Sequence, residues 1–147
     1  MRKKVTHICS VIAIMMMALS CNQATSQQAS PEASVSEVQE QKIVINRISS
    51  DELETAMSAQ EIQLVDVRTD REWESGHIKG AKHFEMNNVN WQSQLETLDK
   101  EEPVYIYCAK GGRSARCAKQ LEEAGFTAIY DLKGGLTSWK ASGKTVE

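Results

Sequence analysis

From Ile43 onward, short apolar runs alternate with segments of helical spacing, and this alternation constrains the fold more than any other feature of the chain. Ile43-Val44-Ile45 reads as a β-branched strand. Ser49 opens a helix, with Glu52 three residues on as its capping-box partner and Leu53, Ala56 and Met57 on its apolar face. Ile62 to Asp66 is a second strand, apolar enough at its centre to be covered on both sides. Asp70 to Ser75 reads as a helical turn and Ala81 to Phe84 as a short strand. Trp91 to Leu98 has helical spacing, with Trp91, Leu95 and Leu98 on one face, and Pro103 stops it. Val104 to Tyr107 is the strongest strand. Ser114 to Ala124 is an amphipathic helix with Cys117, Ala118 and Leu121 inward and Gly125 as its cap. Thr127 to Tyr130 is a last strand, and Gly134-Gly135 opens a helix through Trp139. Such alternation predicts an α/β fold in three layers, a parallel central sheet of about five strands with helices on both faces.

The first forty-odd residues obey different rules. Arg2, Lys3 and Lys4 form a basic start, and Ile8 to Leu19 is an apolar run too short to span a bilayer. Ala18-Leu19-Ser20-Cys21 closes it with small residues before a cysteine. Residues 1–20 therefore read as a bacterial secretory signal peptide. Their end resembles a lipobox, which implies lipidation of Cys21 and a protein anchored at the cell envelope, in the periplasm or at the membrane surface. An ordinary signal peptide cut near the same place, or a buried helix, are the alternatives. Asn22 to Gln41 is rich in Gln, Ser, Ala and Glu and holds Pro31. With so few large apolar residues it cannot offset its ordering entropy, so residues 21–42 are expected to be a flexible tether with a reach of about 25 Å. The folded domain is expected over 43–147.

Removal of residues 1–20 would change the charge and cysteine arithmetic. The chain carries a net charge of −3, and the shortened one would hold 14 Lys and Arg against 20 Asp and Glu, or −6. That argues against nucleic acid as a partner and makes any local basic cluster informative. Of four cysteines, only Cys108 and Cys117 fall in the expected domain. No cysteine or histidine spacing suits a metal, and none of the motifs calls for a cofactor.

Cys108 directly follows the strongest strand and precedes a helix, in the segment Cys108-Ala109-Lys110-Gly111-Gly112-Arg113-Ser114. In open α/β sheets, ligand sites form at the carboxyl ends of strands. Gly111 and Gly112 allow a tight turn that points several N–H groups inward. The helix that follows adds the positive end of its dipole, and Lys110 and Arg113 add formal charge. All of these favour an anionic sulfur, and the thiolate is the nucleophilic form.

This loop resembles the active-site loop of the rhodanese superfamily. Two further segments agree with that family: Asp66-Val67-Arg68 with Glu72 and Gly76-His77-Ile78-Lys79-Gly80-Ala81, and the closing Gly134-Gly135 with Trp139. The resemblance implies a reaction in which Cys108 takes a sulfane sulfur from a small anionic donor such as thiosulfate, becomes a persulfide, and passes the sulfur to a thiol or to cyanide. From Cys108 to Arg113 the loop has six residues, the length typical of the sulfurtransferases; the related Cdc25-type phosphatases have a loop one residue longer, which makes room for a phosphate, so Cdc25/arsenate-reductase-like phosphatase chemistry is the less favoured enzyme reading. A second reading makes the domain a non-catalytic binding or redox-sensing module at the cell envelope.

The neighbouring residues carry alternatives. Arg113 opposes the helix dipole, so it is expected either to bind an anion or to pair with a carboxylate such as Asp66. Asp66 and Arg68 are expected to support the site, with Arg68 meeting the substrate or pairing with Glu72. Lys110 is expected near the mouth and Ser114 in the loop. His77 reads as a turn residue and His83 is left without a role. Cys117 is either a resolving thiol for Cys108 or a small buried helix residue, the latter favoured by the helix between them. Nothing in the sequence demands more than a monomer.

Overall fold

A computed structural model describes residues 43–147; the expected signal peptide, the lipidation site Cys21 and the tether lie outside the described residues. Five strands and five helices alternate in it. They are β1 (Val44–Ile48), α1 (Ser50–Ala59), β2 (Gln63–Asp66), α2 (Asp70–Glu74), β3 (Lys82–His83), α3 (Trp91–Leu95), β4 (Val104–Tyr107), α4 (Gly112–Glu123), β5 (Ala128–Leu132) and α5 (Gly135–Ala141). The strands form one sheet in the order β1-β5-β4-β2-β3, and every pairing is parallel. The expected α/β architecture is the one observed.

Strand periodicity divides the core in two. On one face Val65, Ile106 and Ile129 pack with Leu95 and Leu98 of the α3 region and with Cys117, Ala118 and Leu121 of α4. On the other, Leu64, Tyr107 and Leu132 pack with Leu53 of α1 and with Leu136 and Trp139 of α5. Both faces are thus covered, as a parallel sheet requires.

The capping residues act as their chemistry suggests. Ser49 and Glu52 form the complete capping box of α1, and Thr69 and Glu72 form a second one at α2. The α4 helix ends in a Schellman arrangement, with the Gly125 N–H on Glu122 O and the Phe126 N–H on Leu121 O. Several boundaries move from expectation. β1 and β5 each run further, to Ile48 and Leu132, because each supplies the other's ladder up to that pair. α3 stops at Leu95 rather than Leu98, where the Thr97 hydroxyl donates to Gln94 O at 2.7 Å and draws the chain into a turn. α4 starts at Gly112, two residues before expectation, because Gly111 takes a left-handed conformation (φ 94°) and closes the loop there.

This topology fixes where a ligand can sit. From β2 the chain passes outward to β3, and from β4 it passes the other way to β5. β2 and β4 are neighbours, so the crevice at their carboxyl ends is the switch point of the sheet. Cys108 is the residue that follows β4.

Candidate active site

Cys108 lies at the floor of an open depression of about 490 Å³, lined also by Ala109, Lys110, Gly112, Arg113 and Arg116. The residue is only 2% exposed. The Gly111 N–H donates to its Sγ at 3.1 Å, and the Ser114 hydroxyl lies 3.6 Å from the same sulfur. Burial pushes the thiol up. Hydrogen bonds from the Ser114 backbone and side chain, and from the N–H groups of Lys110 and Gly111, outweigh burial and leave Cys108 below the ordinary thiol range.

The loop is shaped from outside by α5. The Leu136 N–H donates to Cys108 O at 2.8 Å, and the Thr137 N–H and hydroxyl donate to Ala109 O at 3.0 and 2.9 Å. These are the N–H groups that a helix start leaves unpaired. By holding the loop carbonyls outward, they leave its amide hydrogens to converge on the sulfur. Gly135 makes this approach possible: a Cβ built there would fall 2.1 Å from Cys108 O. The sequence marks Gly134-Gly135 as a motif but does not reveal that its purpose is contact with the loop.

The two arginines are held by different carboxylates from those expected. Arg113 makes a bidentate pair with Glu72, at 2.6 Å to each oxygen, and not with Asp66. The Arg113 hydrogen bonds take Glu72 down to about 2 despite partial burial. Glu72 also accepts from the Thr69 N–H and hydroxyl, so one carboxylate caps α2 and fixes the arginine that ends the loop. Arg68 is buried, at 3% exposed, and bonds Asp66 rather than Glu72. Its guanidinium also donates to Gly76 O at 2.9 Å, which ties the strand end to the turn that follows α2. The reason is local: Asp66 ends β2 and already accepts the Arg68 backbone N–H at 2.9 Å, which brings the guanidinium of the same residue within reach. Arg68 is therefore buried against Asp66 and Gly76 and does not line the depression above Cys108.

The remaining candidates fall into place around these. Tyr107, wholly buried, accepts the Ile78 N–H at 3.0 Å and helps hold the same turn. His77 and His83 both stack on Trp73, and His83 Nε2 bonds Arg68 O at 2.8 Å. Cys117 and Cys108 are both free thiols. Cys117 is fully buried, and burial, with Asp131 and Cys108 nearby, pushes its thiol far above the ordinary range. Among the described residues no group of three or more His, Cys, Asp or Glu side chains could hold a metal ion. Arg116, which lines the depression, and Asp131, buried in β5 near the Cys117 thiol, are not singled out by the sequence; their types are unremarkable in isolation, and only the fold places them there.

With this geometry established, likeness to known proteins is informative. Residues 49–142 match the rhodanese-like domain family. The chain belongs to the rhodanese-like family. Among curated relatives, this rhodanese-like chain is 43% identical over 77 residues to the uncharacterized protein YqhL of Bacillus subtilis, covering 52% of this chain and 60% of that protein. It is 36% identical over 99 residues to the thiosulfate sulfurtransferase GlpE of Coxiella burnetii, covering 67% of this chain and 91% of that protein. Its fold resembles the crystal structure of a rhodanese-like domain protein from Staphylococcus aureus, with a TM-score of 0.61 and 35% identity over 69% of this chain and 96% of that one.

Proposed function

We propose that this rhodanese-like domain is a sulfurtransferase that carries sulfane sulfur on Cys108. The observation that supports this most directly is the six-residue loop itself, with a buried sulfur met by backbone N–H groups and held below the ordinary thiol range. The Cys108 thiolate attacks the outer sulfur of a donor such as thiosulfate. A new S–S bond forms, the donor's own S–S bond breaks, and its electron pair leaves on sulfite. An acceptor thiol or cyanide then attacks the outer persulfide sulfur and releases the Cys108 thiolate. The loop N–H groups serve both anionic states without moving. Lys110 and Arg116 at the mouth suit an anionic donor, while Arg113 is committed to Glu72 and acts by fixing the loop. The Cys117 thiol, unlike that of Cys108, is pushed far above the ordinary range and stays protonated, so in this reading the acceptor thiol comes from another molecule.

Intact mass is the decisive measurement. After treatment with thiosulfate the full chain is expected to gain one sulfur atom, with no gain in Cys108→Ser. The loading rate should rise with pH and level off below the ordinary thiol pKa, because the reactive form is the thiolate. A folded protein that takes no sulfur from thiosulfate, mercaptopyruvate or a persulfide donor would leave the binding-module reading in its place.

The proposal extends to location. Residues 1–20 would direct export and Cys21 would carry a lipid that tethers the domain to the cell envelope. Radiolabelled lipid should be incorporated by the full chain and not by Cys21→Ala; equal incorporation by both would remove the anchor.

A further inference from the structure

Two cations beside the active-site loop have no part in the mechanism above. Arg47 of β1 is 59% exposed, and its Nη2 lies 3.7 Å from where a Cβ on Gly111 would stand, against the residue whose N–H supports the sulfur. Lys133 follows β5 and is exposed; its N–H donates to the O of Ile48, the neighbour of Arg47, at 2.8 Å. The next residue, Gly134, also packs on Gly111, with its N 3.5 Å from the same Cβ position. Both cations thus stand at the carboxyl ends of their strands, as Cys108 does, yet neither lines the depression above it. The depression has its own exposed cations, Lys110 and Arg116, to meet a small anionic donor. Among the described residues, Lys110, Arg116 and Lys133 have no ion-pair partner, and Arg47 has only Asp131, at 4.0 Å. The acidic residues that open α1, next in the chain after β1, are engaged elsewhere, Asp51 by Lys144 and Glu52 by Ser49.

We propose that Arg47 and Lys133 extend the basic mouth into a docking rim for an acidic protein that presents the acceptor thiol on a projecting loop. The rim runs from Arg116 and Lys110 across Gly111 to Arg47 and Lys133, over the ends of β4, β5 and β1, which lie side by side. Three neighbouring strands span about 10 Å, a breadth that a small sulfur oxyanion does not fill. Cys108 is 2% exposed at the floor of an open depression, so a thiol borne by a protein must project inward while its flanks meet the rim. Acidic flanks there face several cations at once. Each exposed pair is weak alone, but together they steer the encounter and fix its register. An anionic bilayer would meet the same charges, but it brings no thiol to the recessed sulfur. The inference rests on Cys108 being the sulfur-carrying nucleophile and names the class of its acceptor, but its test does not depend on sulfur transfer.

The test is the rate at which Cys108 of the full chain forms a mixed disulfide with a short peptide whose single cysteine is activated as a pyridyl disulfide. The Cys108 thiolate attacks the peptide sulfur, a new S–S bond forms as the old one breaks, and thiopyridone leaves with the electron pair. Peptide mass mapping fixes the site as Cys108. One peptide flanks its cysteine with glutamates, and its counterpart carries glutamines there. The glutamate peptide should react about tenfold faster at low salt, with the preference shrinking as salt is raised. Arg47→Gln combined with Lys133→Gln should cut that preference to about threefold. The ratio between the two peptides cancels any change in the thiol itself. Lys133→Gln alone, which leaves the Arg47–Asp131 pair untouched, should lower the preference in part, and it decides the matter if the double variant does not fold by circular dichroism. Lys100→Gln, the same charge change before the start of β4 and so at the other end of that strand from Cys108, should leave the preference intact. Equal rates for the two peptides, or equal losses in Lys100→Gln and Lys133→Gln, would overturn the proposal. So would peptide rates indifferent to Arg47 and Lys133 together with binding to phosphatidylserine vesicles that both substitutions weaken, which would assign the rim to a membrane surface. Failure of wild-type sulfur loading with thiosulfate would instead count against the sulfurtransferase reading and leave these rates intact.

Discussion

Glu72 shows how much one side chain can be asked to do in a small domain. It caps α2 through Thr69 and holds Arg113 in a two-pronged pair. The pair is about a third exposed on the carboxylate side, so its contribution to stability is on the order of 1 kcal/mol rather than what a buried pair would give. Glu72→Gln keeps the length and loses the charge. It should lower the urea midpoint modestly at pH 7 and slow sulfur loading several-fold, as Arg113 and the loop end loosen. The pH dependence has a definite sign. Glu72 is lowered in the folded state, to about 2 against an unperturbed 4.5. Its stabilisation is therefore complete above about 4.5 and is lost as pH falls from there through about 2. The difference between wild type and Glu72→Gln in urea titrations should shrink across that window. A difference that stays constant from pH 7 to pH 2 would mean the charge of Glu72 is not what holds Arg113.

At the scale of elements, the site is made by two helix starts meeting at one loop. α4 begins at the loop and presents its N–H end to the sulfur, while α5 reaches in from the other side and holds the carbonyls of Cys108 and Ala109. Gly135 sits at that contact with φ 57°, and a methyl group there would collide with Cys108 O at 2.1 Å. Gly135→Ala should destabilise the domain by about 3 kcal/mol, because neither backbone can yield without breaking the bonds to Leu136 and Thr137. Gly143→Ala makes a fair control: φ is 76° there but nothing lies within 4 Å, so the cost should be about 1 kcal/mol. Chemical denaturation separates the two, and equal losses would show that conformational strain alone decides.

The same contact explains what the sequence could and could not reveal. The elements follow from periodicity and capping residues, which are local properties, and so the order and type of every strand and helix are legible. The loop is legible too, since cysteine, glycines and arginine lie within six consecutive positions. The partners of Arg113 and Arg68 are not. Both arginines have two acidic candidates within a few positions or one strand away, and only tertiary geometry distinguishes Asp66 from Glu72. Arg116 and Asp131 are invisible for the same reason, being eight residues and a whole strand from Cys108 in the chain.

Over the whole molecule, charge is distributed against its average. The chain is net negative at −3, yet the depression above Cys108 is lined by Lys110, Arg113 and Arg116 and, among the described residues, by no acidic one. With Arg113 paired to Glu72, Lys110 and Arg116 provide the field an approaching anion meets. Arg116→Glu should reduce the loading rate with thiosulfate by about tenfold at low salt, and the gap should narrow as ionic strength rises and the Debye length falls below about 10 Å. A loading rate indifferent to both charge and salt would place donor recognition elsewhere.

The ladder that joins β1 to β5 makes the earliest described strand wait for the last one, and α5 comes after both. During synthesis, Cys108 emerges some thirty residues before the segment that will grip its carbonyl, on a timescale of seconds at typical elongation rates. Until α5 docks, the loop carbonyls are free to turn inward and the sulfur behaves as an ordinary thiol. The hydrogen bonds that lower the Cys108 thiol are thus in place only once the fold is complete.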